Sequence, residues 1–417
     1  LVTSLKALVP KVVCPPKKNF ENFAMMLLIL ASSTASAFAP ARKRFLPSGP
    51  LLVAYATQCP TAHAVVSAKD GVNVLIWFAT NLVVDHTTGL PIVETGRNFT
   101  CIALVANELK AQGFPTTHMM SIGGWDAPHP NTTLDGKAWW RVWKQWNDNT
   151  VAQLGWPGFD GIDWDLEGND ANASQWNIFT PECLRLVASM SRAAHEDGYI
   201  VSLVPPQTYL DATNSKFDLS LRHADGHGWK PDFHYHSWNV FAALLTSELA
   251  GPEGVEVYDF ISVQLYETWS PADFQTIGPP GMSQGAYLLQ WARQMNAGWD
   301  IAFEKGAPEM KISNQQIVVP PSKLVVGLSR GSPAGSSAGK SVYFPPSALR
   351  DVWAKQGTSA ASGSALGEML RGVMWWNVEN DGGAVNGSAT PENCLFSACF
   401  GEFVKTRNGS ERRKCEC

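Results

Sequence analysis

Eight short apolar or β-branched runs recur along the chain, at 51–56, 72–80, 117–123, 158–167, 199–205, 259–266, 323–328 and 372–377. Helix-like stretches separate several of them, at 98–112, 137–154, 181–196, 283–305 and 346–355. The stretch 181–196 carries its own punctuation, with Thr180 as N-cap, Pro181 at the first helical position and Gly198 as the stop. Strands alternating with helices predict a parallel sheet with crossover helices. Eight of them predict a closed (β/α)8 TIM barrel in a single catalytic domain over 51–392. No GxGxxG follows a strand and no phosphate loop is present, which counts against a nucleotide-binding sheet.

The fourth run reads FDGIDWDLEGND, Phe159 to Asp170. Residues two apart on a strand share a face. Asp163, Asp165 and Glu167 therefore point one way, and Ile162, Trp164 and Leu166 the other. In a barrel the outer face is covered by helices and takes the apolar set, so the acids must face the interior. Three carboxylates stacked at about 6.6 Å intervals cannot all ionise cheaply there, and one or more pKa values must rise. Glu167 falls at the carboxyl end of the strand, where barrel active sites sit. A raised Glu backed by two Asp suits a general acid with electrostatic support. Three acids on one strand also suit a divalent metal, or a satisfied buried network without chemistry.

The chain has 417 residues, 45% of them hydrophobic and 17% charged, with a formal net charge of −5. That is a globular composition, and without a basic stripe it offers nothing for nucleic acid to bind. Its 17 Trp residues serve as core filling or as indole platforms for pyranose rings. The apolar run 25–31, followed by Ala35-Ser36-Ala37, reads as a secretory signal peptide cleaved near Ala37. It is too short to span a membrane, so 1–37 is leader and 38–50 a linker. The same junction, with basic Arg42, Lys43 and Arg44, also resembles a bipartite plastid presequence. Sequons at Asn98, Asn131, Asn172, Asn386 and Asn408 favour the secretory route. In an oxidising compartment some of Cys59, Cys101, Cys183, Cys394, Cys399, Cys415 and Cys417 should pair, with one left over. Cys394 with Cys399 is a local candidate. A zinc site among the C-terminal cysteines lacks a histidine and a known spacing. The residues 393–417 read as a Cys-containing basic tail.

A long connection, 207–258, follows the fifth run and holds His223, His227, His234 and His236 with Asp225, Trp229 and Trp238. Their spacing matches no metal motif. The expectation is an extended loop, with a cleft wall above the barrel as its use.

FDGIDWDLEG resembles the DGxDxDxE signature of family 18 glycoside hydrolases, the chitinase family. Further pieces match in order: Ser121-Ile-Gly123-Gly124 resembles the third-strand SxGG, Pro205-Pro206-Gln207 the fifth-strand APQ of the plant class III type, and Gln264-Leu-Tyr266 the sixth-strand QxY. The stretch from Gly327-Leu328 through Ala338-Gly339 to Pro345-Pro346 resembles the seventh-strand region. Gly372-Val-Met374-Trp375-Trp376 resembles the eighth-strand GVMxW. The resemblance spans about 50–380.

It implies a retaining hydrolysis of β-1,4-linked N-acetylglucosamine polymers with no cofactor and no metal. Glu167 would protonate the glycosidic oxygen. The substrate's own 2-acetamido carbonyl would attack C1 to give an oxazolinium ion, an exception to the two-carboxylate scheme. Asp165 would accept a hydrogen bond from the acetamido N–H, and Asp163 would share a proton with Asp165. Tyr266 would bond the acetamido oxygen, with Gln264 and Gln207 among the substrate-binding residues. Trp376 would floor the sugar, Trp375 being its rival if the register slips by one. Gly123 and Gly124 would leave room beside the sugar. Asp160 and Ser121 would be structural. The partner implied is chitin or another N-acetylglucosamine glycan, bound by a secreted monomer. Two departures stand out. Leu166 precedes the catalytic Glu where the family often has Trp, and Glu267 follows Tyr266 where it usually has Asp or Asn. Glu267 and the long loop keep two alternatives open: an endo-β-N-acetylglucosaminidase acting on N-glycans or peptidoglycan, and a non-catalytic chitin-binding lectin.

Overall fold

Strand β1 (Leu51–Ala56) pairs with both β2 (Val74–Val84) and β8 (Gly372–Trp376), and that double pairing closes the sheet. Between them run β3 (Thr117–Gly124), β4 (Gly161–Leu166), β5 (Ile200–Leu203), β6 (Phe260–Gln264) and β7 (Leu324–Ser329), each parallel to its neighbours. The molecule is a (β/α)8 TIM barrel, and all eight strands fall on the runs read from the sequence. The computed structural model describes residues 44, 46–59, 62–169, 174–221, 239–267, 270–278, 280–329, 344–354, 365–381 and 395–405, all within the unit Lys43–Cys417.

Alternation along β1 shows how the layers form. Leu51, Val53 and Tyr55 point into the barrel, where they meet Ile76, Met119 and Met374. Leu52, Ala54 and Ala56 point outward into the layer under the helices. Both faces are buried, as a parallel sheet requires. The outer layer is covered by α1 (Ala62–Asp70), α2 (Phe99–Ala111), α3 (Gly136–Trp146), α4 (Pro181–Glu196), α5 (Pro271–Thr276), α6 (Gln284–Ala297), α7 (Pro346–Trp353) and α8 (Phe396–Lys405).

The helix starts have local causes. Asn98, Asp135 and Thr180 accept from the backbone N–H three residues on, at 3.1, 2.7 and 3.1 Å, satisfying donors the helix itself leaves free. Two expected helices are shorter than the sequence suggests. The stretch 283–305 stops at Ala297, because Gly298 sits at φ +83° and Trp299–Ile301 then pairs antiparallel with Gln315–Ile317. Buried Trp299 and Ile301 flank exposed Asp300, a strand period that overrides the helical one. The stretch 137–154 is regular only to Trp146. Buried Asn147 then turns its amide to the backbone of Phe159, accepting from N at 2.9 Å and donating to O at 3.1 Å.

Arg44 and 46–50, expected as linker, belong to the barrel base. The Arg44 guanidinium donates to Tyr199 Oη at 2.9 Å, lies 4.4 Å from that ring's centroid, and stands 3.6 Å from Asp160. Arg371 donates to the carbonyls of Pro47 and Ser48. In the long connection, 207–221 and 239–258 are described. Val240–Leu245 packs into the outer layer, anchored by Asn239, which accepts from Asp211 N–H at 2.8 Å and donates to Lys216 O at 3.1 Å. The histidines and tryptophans noted at 223–238 lie outside the described residues, as do Cys394, the leader and the last residues of the tail. Among the described residues no helix is long and apolar enough to cross a membrane.

Cys59 and Cys101 form a disulfide with Cα atoms 5.9 Å apart, tying the loop after β1 to α2 across 42 residues. Cys183 is a buried free thiol. Cross-linking a loop of that length restricts the unfolded chain. Replacing both cysteines by serine is expected to lower unfolding free energy by about 2–4 kcal/mol, read in urea melts; an unchanged midpoint would mean the bridge is redundant.

Candidate active site

The register fixes which side chains meet. Ser121 pairs with Asp163 and Gly123 with Asp165 on one side of β4, and Asp163 pairs with Ser202 on the other. Asp163, Asp165 and Glu167 are all buried, one above another toward the carboxyl end of β4. Trp164 faces outward, donating from Nε1 to Ser191 Oγ at 2.8 Å. The acidic face is the interior one, as alternation required.

Asp163, the deepest, is held by donors. Tyr55 Oη donates to its Oδ2 at 2.5 Å, and Ser202 Oγ donates to its Oδ1. Burial pushes its carboxyl up to about 6, against the pull of Ser202, Tyr55 and Ser121. The Ser121 hydroxyl contributes that pull without reaching ordinary hydrogen-bond geometry. Asp165 is pushed well above the carboxylate range, first by burial and then by the charge of Glu167 and the hydrogen bond the two share. Glu167 is also raised by burial, with Asp165 and Gln264 pulling the other way. Asp165 interacts most strongly with Glu167 and with Asp163 through charge, while Tyr55 and Ser202 each donate to one oxygen of Asp163.

Gln264 spans the upper pair. Its Nε2 lies 3.0 Å from Asp165 Oδ1, 2.9 Å from Glu167 Oε1 and 2.8 Å from Val204 O. Tyr266 is buried beside the acids, its hydroxyl raised by burial and then by the charges of Glu167, Asp165 and Glu267. Trp376 points inward with its ring 5.5 Å from Tyr55 and edge-on to Phe78 at 4.9 Å. Trp375 points outward onto Phe400 and Phe396. The alternative register is therefore not the one adopted.

The other sequence candidates sit as follows. A Cβ on Gly123 would collide with the Asp165 carbonyl, and one on Gly124 with the Phe78 ring; both glycines have positive φ. The space they leave is filled by protein, where the sequence reading set it aside for a sugar. Gln207 is fully buried and spends its amide on protein groups, donating to Tyr287 Oη at 2.5 Å and accepting from Ala272 N–H at 3.0 Å. It positions α5 and stands apart from the acid column. Asp160 sits at the strand's start, accepting from His118 N–H at 3.0 Å beside Arg44, which is a structural place. Tyr55, Ser202 and Phe78 were missed from sequence. Tyr55 had a signal: it is the last inward position of a period-two run, and its polar tip needs a partner there. Ser202 had none, since its role depends on which strand lies beside β4.

The buried column has a cost that varies with pH. Burial raises the Asp163 carboxyl from its ordinary value near 3.8 to about 6 on folding, so the native state binds the extra proton. Its contribution is fully present below about pH 4 and is lost as pH rises through 6. Relative to an Asp163→Asn variant, wild type is expected to lose about 2 kcal/mol between pH 4 and 7. Parallel urea melts would test this, and a pH-independent difference would contradict it.

No family model matches the chain, and no curated protein does. Solved structures do. A family GH18 chitinase from Chromobacterium violaceum aligns over 89% of this chain and 91% of its own, at 14% identity and a TM-score of 0.52. A GH18 chitinase from the chitin utilization locus of Flavobacterium johnsoniae covers 85% and 94%, at 11% identity and 0.41. A tamarind chitinase-like lectin covers 79% and 95%, at 14% and 0.39. At these identities the likeness is one of fold. What the chain shares with the Chromobacterium violaceum chitinase is the (β/α)8 barrel fold.

Proposed function

We propose that the protein is a chitinase that hydrolyses β-1,4 N-acetylglucosamine linkages with retention, Glu167 serving as general acid. The observation that carries this is the buried pair Asp165 and Glu167 at the carboxyl end of β4, bridged by Gln264 Nε2 at 3.0 and 2.9 Å. A general acid must hold its proton near working pH, and burial raises Glu167 in that direction. In this proposal Asp165 and Glu167 share one proton. Glu167 gives it to the leaving oxygen as the C1–O bond breaks and the acetamido carbonyl oxygen bonds to C1, which leaves both carboxyls ionised, and Asp165 accepts from the acetamido N–H. Glu167 then takes a proton from the water that attacks C1 and opens the oxazolinium ion. Asp163, fixed by Tyr55 and Ser202, supplies negative charge below without competing for the substrate. Tyr266 adds a hydroxyl for the acetamido oxygen, and the inward ring of Trp376 offers the sugar an apolar floor. The leader at 25–37 and the sequons place the enzyme, in this proposal, on the secretory route.

A second reading is favoured by one observation. Glu267 is buried beside the site, and its charge raises both Asp165 and Tyr266. An extra acid at that point suits a different N-acetylglucosamine glycan, such as an N-glycan core or peptidoglycan.

The test is incubation with N-acetylglucosamine hexamer beside a Glu167→Gln control, read by mass and by proton NMR of the new anomeric centre. Wild type is expected to release the β-anomer first, with the variant slower by about 10²–10⁴-fold. Equal rates would remove Glu167 from the chemistry. Binding without cleavage by either protein would point to a lectin, and cleavage confined to glycoproteins or peptidoglycan to the second reading.

A further inference from the structure

A pocket of about 440 Å³ lies beside the barrel mouth and shares no residue with the acid column. Three segments wall it: Val83 and Val84 at the end of β2 with His86 just beyond, 128–132 after β3, and 175–183 around the start of α4. Its volume is within the range of small-ligand sites. Two properties of the lining restrict what fits.

The first is charge. No Lys, Arg, Asp or Glu is among the described residues that line it. His129 is in the wall, and burial lowers its imidazole to about 4, so it is neutral above pH 5. The Cys183 thiol, pushed up to about 12 by burial, is protonated and unreactive. Apart from the exposed His86, the lining has no ionisable side chain free to replace the hydration of an ionic ligand.

The second is the mixture of surfaces. Trp176 is half-buried, its ring 5.9 Å from that of His129, which lies tilted against Phe179 at 4.4 Å. Ile178 is 54% exposed at the rim. The amides of Asn131 and Gln175 and the hydroxyls of Thr132 and Thr180 stand among these apolar groups. His129 Nε2 has no hydrogen-bond partner among the described residues. An aromatic face, aliphatic walls and neutral donors and acceptors suit a ligand that is uncharged, hydroxyl-rich on its edges and apolar on its faces.

We propose that this pocket is a second saccharide site, separate from the catalytic cleft, that takes one or two N-acetylglucosamine units of the glycan with Trp176 as stacking platform. The choice of sugar rests on the functional reading above; the neutral, amphipathic character of the ligand does not. A site on the same face of the barrel as the acids would hold a polymer near the cleft and favour long chains over short ones.

Asn131 is also a sequon residue, its Oδ1 accepting from Thr133 N–H and Oγ1 at 2.9 and 2.6 Å. A glycan attached there would compete for the pocket, so the test uses unglycosylated full-length protein from an oxidising bacterial host. N-acetylglucosamine tetramer would be titrated by calorimetry into four chains: Glu167→Gln alone and combined with Trp176→Ala, Asn131→Asp or Trp376→Ala. Asn131→Asp adds a charge to the pocket at constant size, so it serves if Trp176→Ala fails to fold. The expected result is two sites in the parent, one of them weakened about tenfold or more by either pocket substitution and the other by Trp376→Ala. One site, indifferent to both pocket substitutions, would overturn the proposal. Binding lost with the pocket substitutions and unmoved by Trp376→Ala would uphold the pocket and overturn the catalytic cleft. No binding at all would overturn both.

Discussion

Everything in the upper barrel answers to the desolvation of three carboxyl groups on one strand. Burial alone would force Asp163, Asp165 and Glu167 neutral, and close approach would add repulsion. The molecule answers with donors. Tyr55 and Ser202 come from β1 and β5, on opposite sides of β4 around the ring, to hold Asp163. Gln264 reaches across from β6 to bind both members of the upper pair. The deepest acid is satisfied by hydroxyl groups and the upper two by each other. All three carboxyls are thereby raised, and Glu167 stands at the mouth.

That arrangement needs registers that cannot slip. A shift of one residue in β4 would turn the acids into the apolar outer layer and Trp164 into the interior. Close backbone contacts resist such a shift. A side chain at Gly123 would strike the Asp165 carbonyl, and one at Gly161 or Gly372 would strike the neighbouring strand's backbone at Ile200 or Leu51. At the opposite end, Asp160 ties β4 to β3 through His118 N–H and lies against Arg44. The strand that carries the chemistry is pinned at its foot, packed without gaps along its length, and free only at its tip.

Much of this was legible in the sequence because period two and burial act on each strand locally. The eight runs, the inward face of Asp163, Asp165 and Glu167, the N-cap at Thr180, and Trp376 as the inward Trp all followed from alternation or capping chemistry within one segment. What was not legible depends on which strands become neighbours. Ser202 matters only because β5 lies beside β4. Gln207 sits in a matching motif, yet its amide is committed to Tyr287 and Ala272, groups 65 and 80 residues away along the chain. Arg44 looked like part of a basic leader, and only its contact with Tyr199 and Asp160 makes it structural. The helix expected through Gly298 failed because a glycine at positive φ and a strand period beyond it outweighed the helical pattern before it.

The pairing of β1 with β8 also governs when the site comes into being. Leu51 aligns with Gly372, so the ring cannot shut until nearly the whole chain has been made. Contacts this far apart in sequence are slow to form, and synthesis proceeds from the N-terminus. The acids of β4 and their Tyr55 partner are made early, yet Trp376, which packs against Tyr55, arrives last. Through most of synthesis the carboxylates therefore stay hydrated and ionised. Their proton affinities rise only when the final strand docks and water leaves, which makes completion of the chain the step that arms the site.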